Sequence, residues 1–468
     1  MGWINEMARL LKLYIAIAVC SVQVAAARQS VDAGMTLRQV VDYALEHSPG
    51  LQSAQVEVSR RQGLVTTAHS DLMPQVDLSA DATDSRFDRG YPAGTPPSLL
   101  RFDTALYTGA AQLKFLIWDF HKTELELESA RARVAEASAT VERRRQEVIF
   151  TTARLVLQSQ TYSDLIEAAQ SRRKSLQALL ERTSRLIQGG RAVPVDGLKI
   201  RTRLAQLESD LATLRADRTT SLSNLAEVMG FDGGLPELVY TPIASLPSGA
   251  QRAQDEWLSD AAVKRPEIKA QDHAIRARER ADKAARKANL PRIDLRASLI
   301  EYGSITPTGF PELIGGLLPG IPSDGPSPGR LAADWLLGVH VSFPLFDGGR
   351  RRGRIETARA QLEKARLARH QLELRIAREV RTATANLESA KARVSALRDT
   401  VAESERVLHD ERLKFEAGRT VIDFVLDAES ALLTNQSLLS QAHRSVAVAQ
   451  LALDLSAGEM DATRLPGP

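Results

Sequence analysis

Four short segments of the chain place apolar residues at every second position. They cover residues 76–82, 105–117, 293–299 and 335–343. Alternation with a period of two is typical of β-strands, and the segments approach the roughly nine to eleven residues that a tilted transmembrane strand needs. A half-buried sheet of a soluble protein would show the same alternation. The pattern therefore predicts four strands, and by itself leaves open which of the two environments they occupy.

Two much longer stretches, 110–188 and 354–417, contain neither glycine nor proline. We predict helices over 121–188 and 354–417, each about 100 Å long at roughly 1.5 Å per residue. Apolar residues recur there in steps of three and four, which keeps one seam facing a partner helix as in a coiled coil. The seam positions are Leu127, Val134, Val141, Val148, Leu155, Tyr162, Ala169 and Leu176 in the first helix, and Val380, Leu387, Val394, Val401, Leu408 and Phe415 in the second.

Each long helix is followed by a glycine–arginine pair and then by another helical segment. These shorter helices are predicted over 195–229 and 421–457. Gly190 and Gly418 suit the left-handed conformation that ends a helix and lets the chain reverse. The sequence therefore predicts two long helical hairpins.

The strand-and-hairpin unit occurs twice. Four landmarks repeat in order, the first two 217 positions apart and the last two 228 apart: Pro49 with Pro266, Pro74 with Pro291, Asp119 with Asp347, and Gly190 with Gly418. Because loops absorb insertions, the change of 11 positions predicts a variable loop in each copy, over 83–100 and 303–333. The predicted organisation is a signal peptide (1–27), a first repeat (28–230), a linker (231–256), a second repeat (257–458) and a C-terminal tail (459–468).

The N-terminus has the features of a secretory signal peptide. Arg9 and Lys12 precede a short apolar run, and three alanines end at position 27. A short buried helix or a membrane anchor is the alternative interpretation. The single cysteine, Cys20, would leave with the signal; as a lipid-attachment site it would follow Val19, which is larger than the small residue that such signals require. No later stretch is apolar enough for a transmembrane helix, so membrane insertion would require strands.

Composition and charge exclude several classes of function. With 61 Lys and Arg against 58 Asp and Glu, the charge is nearly balanced, and we expect no nucleic-acid partner. The eight histidines are scattered, and neither a phosphate-binding glycine loop nor a nucleophile elbow occurs. We therefore expect no enzyme, and we assign no catalytic, cofactor-binding or metal-binding residue. Twelve of the 22 aromatic residues fall within 86–120 and 302–346, as expected for interfacial girdles beside membrane strands.

Three motifs, together with the duplication, resemble the TolC family of outer-membrane efflux channels. Residues 35–49 read MTLRQVVDYALEHSP and are similar to the start of that family. Residues 341–349, VSFPLFDGG, resemble its final-strand signature, and residues 415–428, FEAGRTVIDFVLDA, resemble its helix-tip signature. The resemblance spans about residues 35–458.

This resemblance implies a mainly α protein with a membrane β-barrel part. Three protomers would each lend four strands to a twelve-stranded barrel, and their coiled-coil hairpins would form an α-helical tunnel across the periplasm. The implied partners are two further copies of the chain, a periplasmic adaptor (membrane fusion protein), an inner-membrane transporter and outer-membrane lipid. The implied role is a passive exit duct for efflux or type I secretion.

The same resemblance implies a gate and a docking surface. Asp427 matches an acidic gate residue of the family in its spacing from Gly418, whereas the second expected acid falls on Phe424, with Asp423 one position early. Arg419 lies one step from the family's gating basic residue. The candidate gate is therefore Asp427, Asp423 and Arg419. The candidate adaptor contacts are the tips Gly190, Arg191, Gly418 and Arg419.

Two alternatives stay open on residue type alone. Asp427 could be an ordinary solvated acid on a helix face. An exported coiled-coil scaffold with a small β-domain would explain the heptads, but neither the signal peptide nor the aromatic residues around the strands. The exported substrate is open as well, because a tunnel passes what its pump delivers; drugs, metal ions and polypeptides all remain candidates.

Overall fold

A computed structural model of the chain describes residues 34–88, 101–190, 192–232, 238–240, 252–304 and 332–465. The predicted signal peptide with Cys20, Arg191 and most of the predicted linker lie outside these residues. The described chain forms two compact units. One contains residues up to Glu57, Ala137–Ala270 and the chain from Arg369, and the other contains Val58–Glu136 and Gln271–Ala368.

Each copy of the repeat has the same order of elements: two helices, two strands and two longer helices. The first copy consists of α1 (Leu37–His47), α2 (Pro49–Ser70), β1 (Gln75–Asp88), β2 (Arg101–Trp118), α3 (Lys122–Gln188) and α4 (Pro194–Met229). The second consists of α5 (Gln254–Lys264), α6 (Pro266–Lys287), β3 (Arg292–Ser304), β4 (Ala332–Ser342), α7 (Arg350–Glu416) and α8 (Ile422–Ala457), followed by a 3-10 turn (Ala462–Arg464). The predicted long helices and the helices that follow them are confirmed, but α7 begins at Arg350 and not at 354, because Gly353 is accommodated in its first turn.

The predicted coiled-coil seams are confirmed as the packed sides of the long helices. Every seam position of α3 and α7 is buried or half-buried. Leu176 is 1% exposed and Val380 is fully buried, although both helices are mostly polar. Among the described helices, none is both long and apolar enough to cross a membrane.

The four strands form one antiparallel sheet in the order β1-β2-β3-β4. The predicted loop bounds are wrong at three ends. β1 continues from Thr83 to Asp88, β3 includes Gly303 and Ser304, and β4 begins at Ala332. Thr83 to Asp88 pair with the first residues of β2. Hydrogen bonding between neighbouring strands therefore continues through residues whose local composition favours a turn.

One face of this sheet is apolar across all four strands. Val76 pairs with Leu113, Leu113 with Ala297, and Ala297 with Leu337, so one row of apolar side chains crosses the sheet. Residues paired in this way lie on the same face, and side chains alternate between faces along each strand. The opposite face carries polar rows such as Gln75, Lys114 and Arg296. Val76 is 65% exposed and Leu337 is 62% exposed, so the described chain leaves the apolar face uncovered.

Both copies turn from their second strand into the long helix in the same way. Asp119 accepts hydrogen bonds from the backbone N–H groups of Lys122 and Thr123, and Asp347 accepts them from Gly349 and Arg351. The two residues after each aspartate have positive φ values, 59° and 63° for Phe120 and His121, 66° and 89° for Gly348 and Gly349. Glycine adopts this conformation without steric cost, whereas Phe120 and His121 are strained there.

The ends of α4 and α8 pack closely on the preceding helices of their own copies. Gly230 and Gly458 cap them with φ values of 68° and 75°. A Cβ on Gly230 would lie 2.7 Å from the carbonyl oxygen of His47, and one on Gly458 would lie 2.9 Å from the backbone nitrogen of Arg265. A close approach to backbone atoms therefore occurs at corresponding places in both repeats, so the repeats resemble each other in tertiary packing as well.

Candidate functional site

The tip of the first hairpin is a tight turn between α3 and α4. Gly190 is left-handed, with φ of 69°, and its N–H donates to the carbonyl of Ile187. Pro194 then begins α4, and the N–H of Val193 donates to the carboxylate of Asp196. Gly190 thus shapes the turn through its backbone; Arg191, predicted to contact an adaptor, lies outside the described residues.

The second tip repeats this geometry between α7 and α8. Gly418 also has φ of 69°, and the N–H of Arg419 donates to the carbonyl of Lys414 at 2.9 Å. The Arg419 side chain is exposed. Within the part of the chain that the structure describes, no carboxylate contacts its guanidinium, so the structure does not join Arg419 to Asp423 or Asp427, the two candidate gate acids.

Both candidate gate acids, Asp423 and Asp427, are instead paired with cations on α4. The ammonium of Lys199 lies 2.5 Å from Asp423, and the guanidinium of Arg203 lies 3.5 Å from Asp427. The two cations are four residues apart along α4, and the two acids are four residues apart along α8. The two contacts therefore lie one helical turn apart. Asp427 remains 75% exposed, whereas half of the Asp423 side chain is covered. The cations partly neutralise the acids but leave Asp427 open to solvent ions.

Sequence reasoning missed a buried ionic cluster about half a turn from Asp427. Glu429 is 2% exposed; its carboxylate lies 2.6 Å from Arg412 and 3.3 Å from Arg172. Arg172 also donates to the backbone carbonyl of Glu429. Burial lowers the pKa of the Arg172 guanidinium, against the opposing charge of Glu429, and Arg203 and Arg412 lower it further. Glu429 therefore ties α8 to both α3 and α7.

Exposed apolar side chains surround both tips. At the first tip Val193 is 56% exposed and Leu198 is 58% exposed; at the second, Val421 is 57% and Phe424 is 58% exposed. Phe424 occupies the position where the family pattern suggested an acid. Covering such a surface with a partner protein is favourable, because apolar side chains are then removed from water.

The described residues show no group of three or more His, Cys, Asp or Glu side chains that could hold a metal ion.

Comparisons with known proteins agree with these features. The family described as outer membrane efflux protein matches residues 40–231 and 257–459, which correspond to the two repeats. Protein CyaE of Bordetella pertussis is 25% identical over 92% of this chain and 86% of its own length. Outer membrane efflux protein BepC of Brucella suis is 26% identical over 92% of this chain and 87% of its own.

Among solved structures, the outer membrane protein VceC of Vibrio cholerae superposes with a TM-score of 0.69 at 20% identity, covering 90% of this chain and 96% of VceC. This likeness establishes a shared fold. The resemblance inferred from the sequence motifs is confirmed by the family match, which covers most of the chain. The chain belongs to the outer membrane efflux protein family.

Proposed function

We propose that this protein is the exit duct of a tripartite efflux or type I secretion system in the outer membrane. Like the other members of its family, it is a channel protein and not an enzyme. The observation that carries the proposal is the family match over both repeats. The substrate would be delivered by an inner-membrane transporter and a periplasmic adaptor, and the duct would conduct it passively.

We further propose that three chains share one twelve-stranded barrel. β1 and β4 are the edges of the sheet, and no strand of the described residues pairs with their outer sides. Unpaired edges favour pairing with another chain, and four strands cannot close a barrel alone. The continuous apolar face would then contact lipid, and the polar face would line the channel. In this arrangement both edge strands would be hydrogen-bonded, and each face of the sheet would meet an environment that matches its polarity.

The helical hairpins would extend into the periplasm and form the tunnel. In this arrangement the exposed apolar residues at the two tips would be covered by the adaptor. Gly190, Gly418 and Arg419 lie in the turns beside these side chains. We propose the two tips, with Gly190, Arg191, Gly418 and Arg419, as the adaptor contact.

The gate would be formed by Asp423 and Asp427, with Lys199 and Arg203 as partners that the sequence did not reveal. Carboxylates from several chains close to one axis would repel each other and attract cations. Pairing within each chain at 2.5 and 3.5 Å reduces that repulsion and supports a closed arrangement. Arg419 is exposed at the same tip, where no carboxylate of the described residues contacts it, and is proposed to act there as a cation.

Fractionation and bilayer recording test the exit duct. We expect heat-modifiable trimers in the outer-membrane fraction and ion conductance after reconstitution into planar bilayers. A soluble elongated dimer without conductance would instead support the scaffold interpretation.

Cysteine cross-linking tests the shared barrel. Cysteine pairs with one member on β1 and the other on β4 should link neighbouring chains into species of up to three. Gln112 and Ser298, which pair directly between β2 and β3, provide the control, since cysteines there should link only within one chain. Links between β1 and β4 confined to single chains would contradict a barrel shared between chains.

A further inference from the structure

The two copies differ in charge where the second strand of each leads into the long helix. In the second copy residues 350–354 read RRRGR, which is four arginines within five positions. The same positions of the first copy, 122–126, read KTELE, with one lysine and two glutamates. The backbone geometry of the junction is shared, so this charge is not required to form the turn.

Most of these arginines face solvent. Arg351 is held by Asp347 at 2.9 Å, and Arg352 reaches Glu356 at 3.0 Å although its side chain is 86% exposed. Arg350 and Arg354 are exposed, and within the described ranges no carboxylate contacts either guanidinium. Cations at the first turn of a helix are opposed by the helix dipole. The arginine cluster therefore destabilises the start of α7, and a bound anion would offset this effect.

An apolar surface adjoins the arginines. Leu345 and Phe346, between the end of β4 and the first arginine, are 84% and 89% exposed. They continue the exposed apolar residues of β4, of which Trp335 is 77% exposed. A cleft of about 470 Å³ adjoins the arginines and is lined in part by Asn289, Arg351 and Arg352. Asp347 and Glu356 line it too, and they pair with Arg351 and Arg352. Apolar side chains are thus followed directly by cations and by a polar cleft.

We propose that this junction binds the phosphate-bearing head group of an anionic phospholipid in the leaflet that faces the periplasm. The inference rests on the proposed outer-membrane location of the sheet. Leu345 and Phe346 would contact the acyl chains. Arg350 and Arg354, four residues apart on one side of α7, would contact the head group, and Arg352 on the other side would add to the local positive charge. Surface segments that combine apolar residues with arginines bind anionic lipid surfaces in this way. The first copy lacks the arginines and would make only the apolar contact.

Native mass spectrometry of the purified, detergent-solubilised protein tests the site. Dioleoylphosphatidylglycerol and dioleoylphosphatidylcholine are titrated against the wild type and the triple variant Arg350→Gln, Arg352→Gln, Arg354→Gln. We expect roughly tenfold or greater loss of phosphatidylglycerol affinity, with phosphatidylcholine unchanged. The control is Arg381→Gln, Arg393→Gln, Arg398→Gln, which removes three arginines elsewhere on α7 and should leave both affinities unchanged.

Two further measurements separate lipid from other occupants. The variant Leu345→Ser, Phe346→Ser should weaken binding of the dioleoyl lipid but not of dihexanoylphosphatidylglycerol. Full displacement of the lipid by inorganic phosphate would overturn the proposal in favour of a simple anion site. A changed number of chains in the triple variant would overturn it in favour of a contact between copies.

Conductance distinguishes failure of this inference from failure of the proposed function. A triple variant that conducts like the wild type and keeps its phosphatidylglycerol affinity contradicts only the lipid site. A wild type that forms no channel contradicts the exit duct itself.

Discussion

Asp427 on α8 lies 3.5 Å from Arg203 on α4, one helical turn beyond the 2.5 Å contact between Asp423 and Lys199. These two contacts connect the second hairpin to the first within a single chain, close to both tips. Exposed pairs of this kind contribute only about 0.2–1 kcal/mol each. Their effect is therefore expected in the distribution of charge at the proposed entrance and not in the stability of the fold.

Removing the cations should strengthen the cation preference of the channel. Lys199→Gln with Arg203→Gln leaves Asp423 and Asp427 without their neutralising partners, so divalent cations should block the reconstituted channel at lower concentration. Arg201→Gln, an exposed arginine on the same helix, is the control and should leave block unchanged. The measurement is single-channel conductance in planar bilayers at several concentrations of divalent cation.

Asp427→Ala should act in the opposite direction. It removes the more exposed of the two acids, so cation selectivity and divalent-ion block should both decrease, as measured by reversal potential and by conductance. If selectivity and block are the same as in the wild type, Asp427 is an ordinary solvated acid and the gate assignment is wrong.

Glu429 should matter for stability, because it is the buried partner of two arginines. Glu429→Ala leaves Arg172, whose side chain is 12% exposed, without an acid. Removing one partner of a buried ion pair costs about 3–5 kcal/mol, and the half-exposed Arg412 contributes less than Arg172. Thermal unfolding followed by circular dichroism should show a clear drop in the midpoint, whereas the exposed Glu388→Ala should change it little.

A double variant separates lost attraction from uncompensated charge. Arg172→Leu with Glu429→Leu removes both buried charges and should recover most of the stability, because apolar residues often replace buried ion pairs without loss. If the double variant is no more stable than Glu429→Ala, the loss does not come from the unpaired arginine.

The first long helix could be predicted from the sequence almost to the residue, whereas the second begins at Arg350 and not at the predicted 354. The first was predicted over 121–188 and spans Lys122–Gln188, because glycine pairs and aspartates mark its ends locally. The two faces of the sheet could also be predicted, because apolar residues occupy every second position along each strand. The outer ends of the strands could not be predicted, since Thr83 to Asp88 become a strand only by pairing with β2. The left-handed conformation of Phe120 and His121 could not be predicted either, because neither residue type favours it as glycine does.

The site followed from the sequence only in part. The turns at Gly190 and Gly418 depend on local backbone geometry, and glycine signals it directly. Lys199 and Arg203 are more than 200 positions from the acids they contact, and nothing local distinguishes them from other cations of α4. Nothing in the local sequence distinguishes Glu429 from a surface acid, because its burial depends on three helices meeting around it.

Two glycines with similar φ should respond differently to alanine. At Gly418, with φ of 69°, an added Cβ would meet no atom within 4 Å, so Gly418→Ala costs only the left-handed conformation, about 1–2 kcal/mol. At Gly458 the added Cβ would also meet the backbone nitrogen of Arg265 at 2.9 Å. Gly458→Ala should therefore lower the thermal midpoint further than Gly418→Ala. Equal shifts would mean that the end of α8 can move away from Arg265.

The two aspartates at the start of the long helices should differ in the same manner. Asp119 is 7% exposed and also accepts from the hydroxyl of Thr123, which is itself 3% exposed. Asp119→Ala removes a helix cap worth about 1–2 kcal/mol and leaves buried donors unpaired, at about 1–3 kcal/mol more. Asp347→Ala removes a cap whose donors can reach water, since the Asp347 side chain is 22% exposed. Hydrogen exchange should therefore rise more in the first turn of α3 than in that of α7. Equal increases would show that the buried hydroxyl of Thr123 finds another partner.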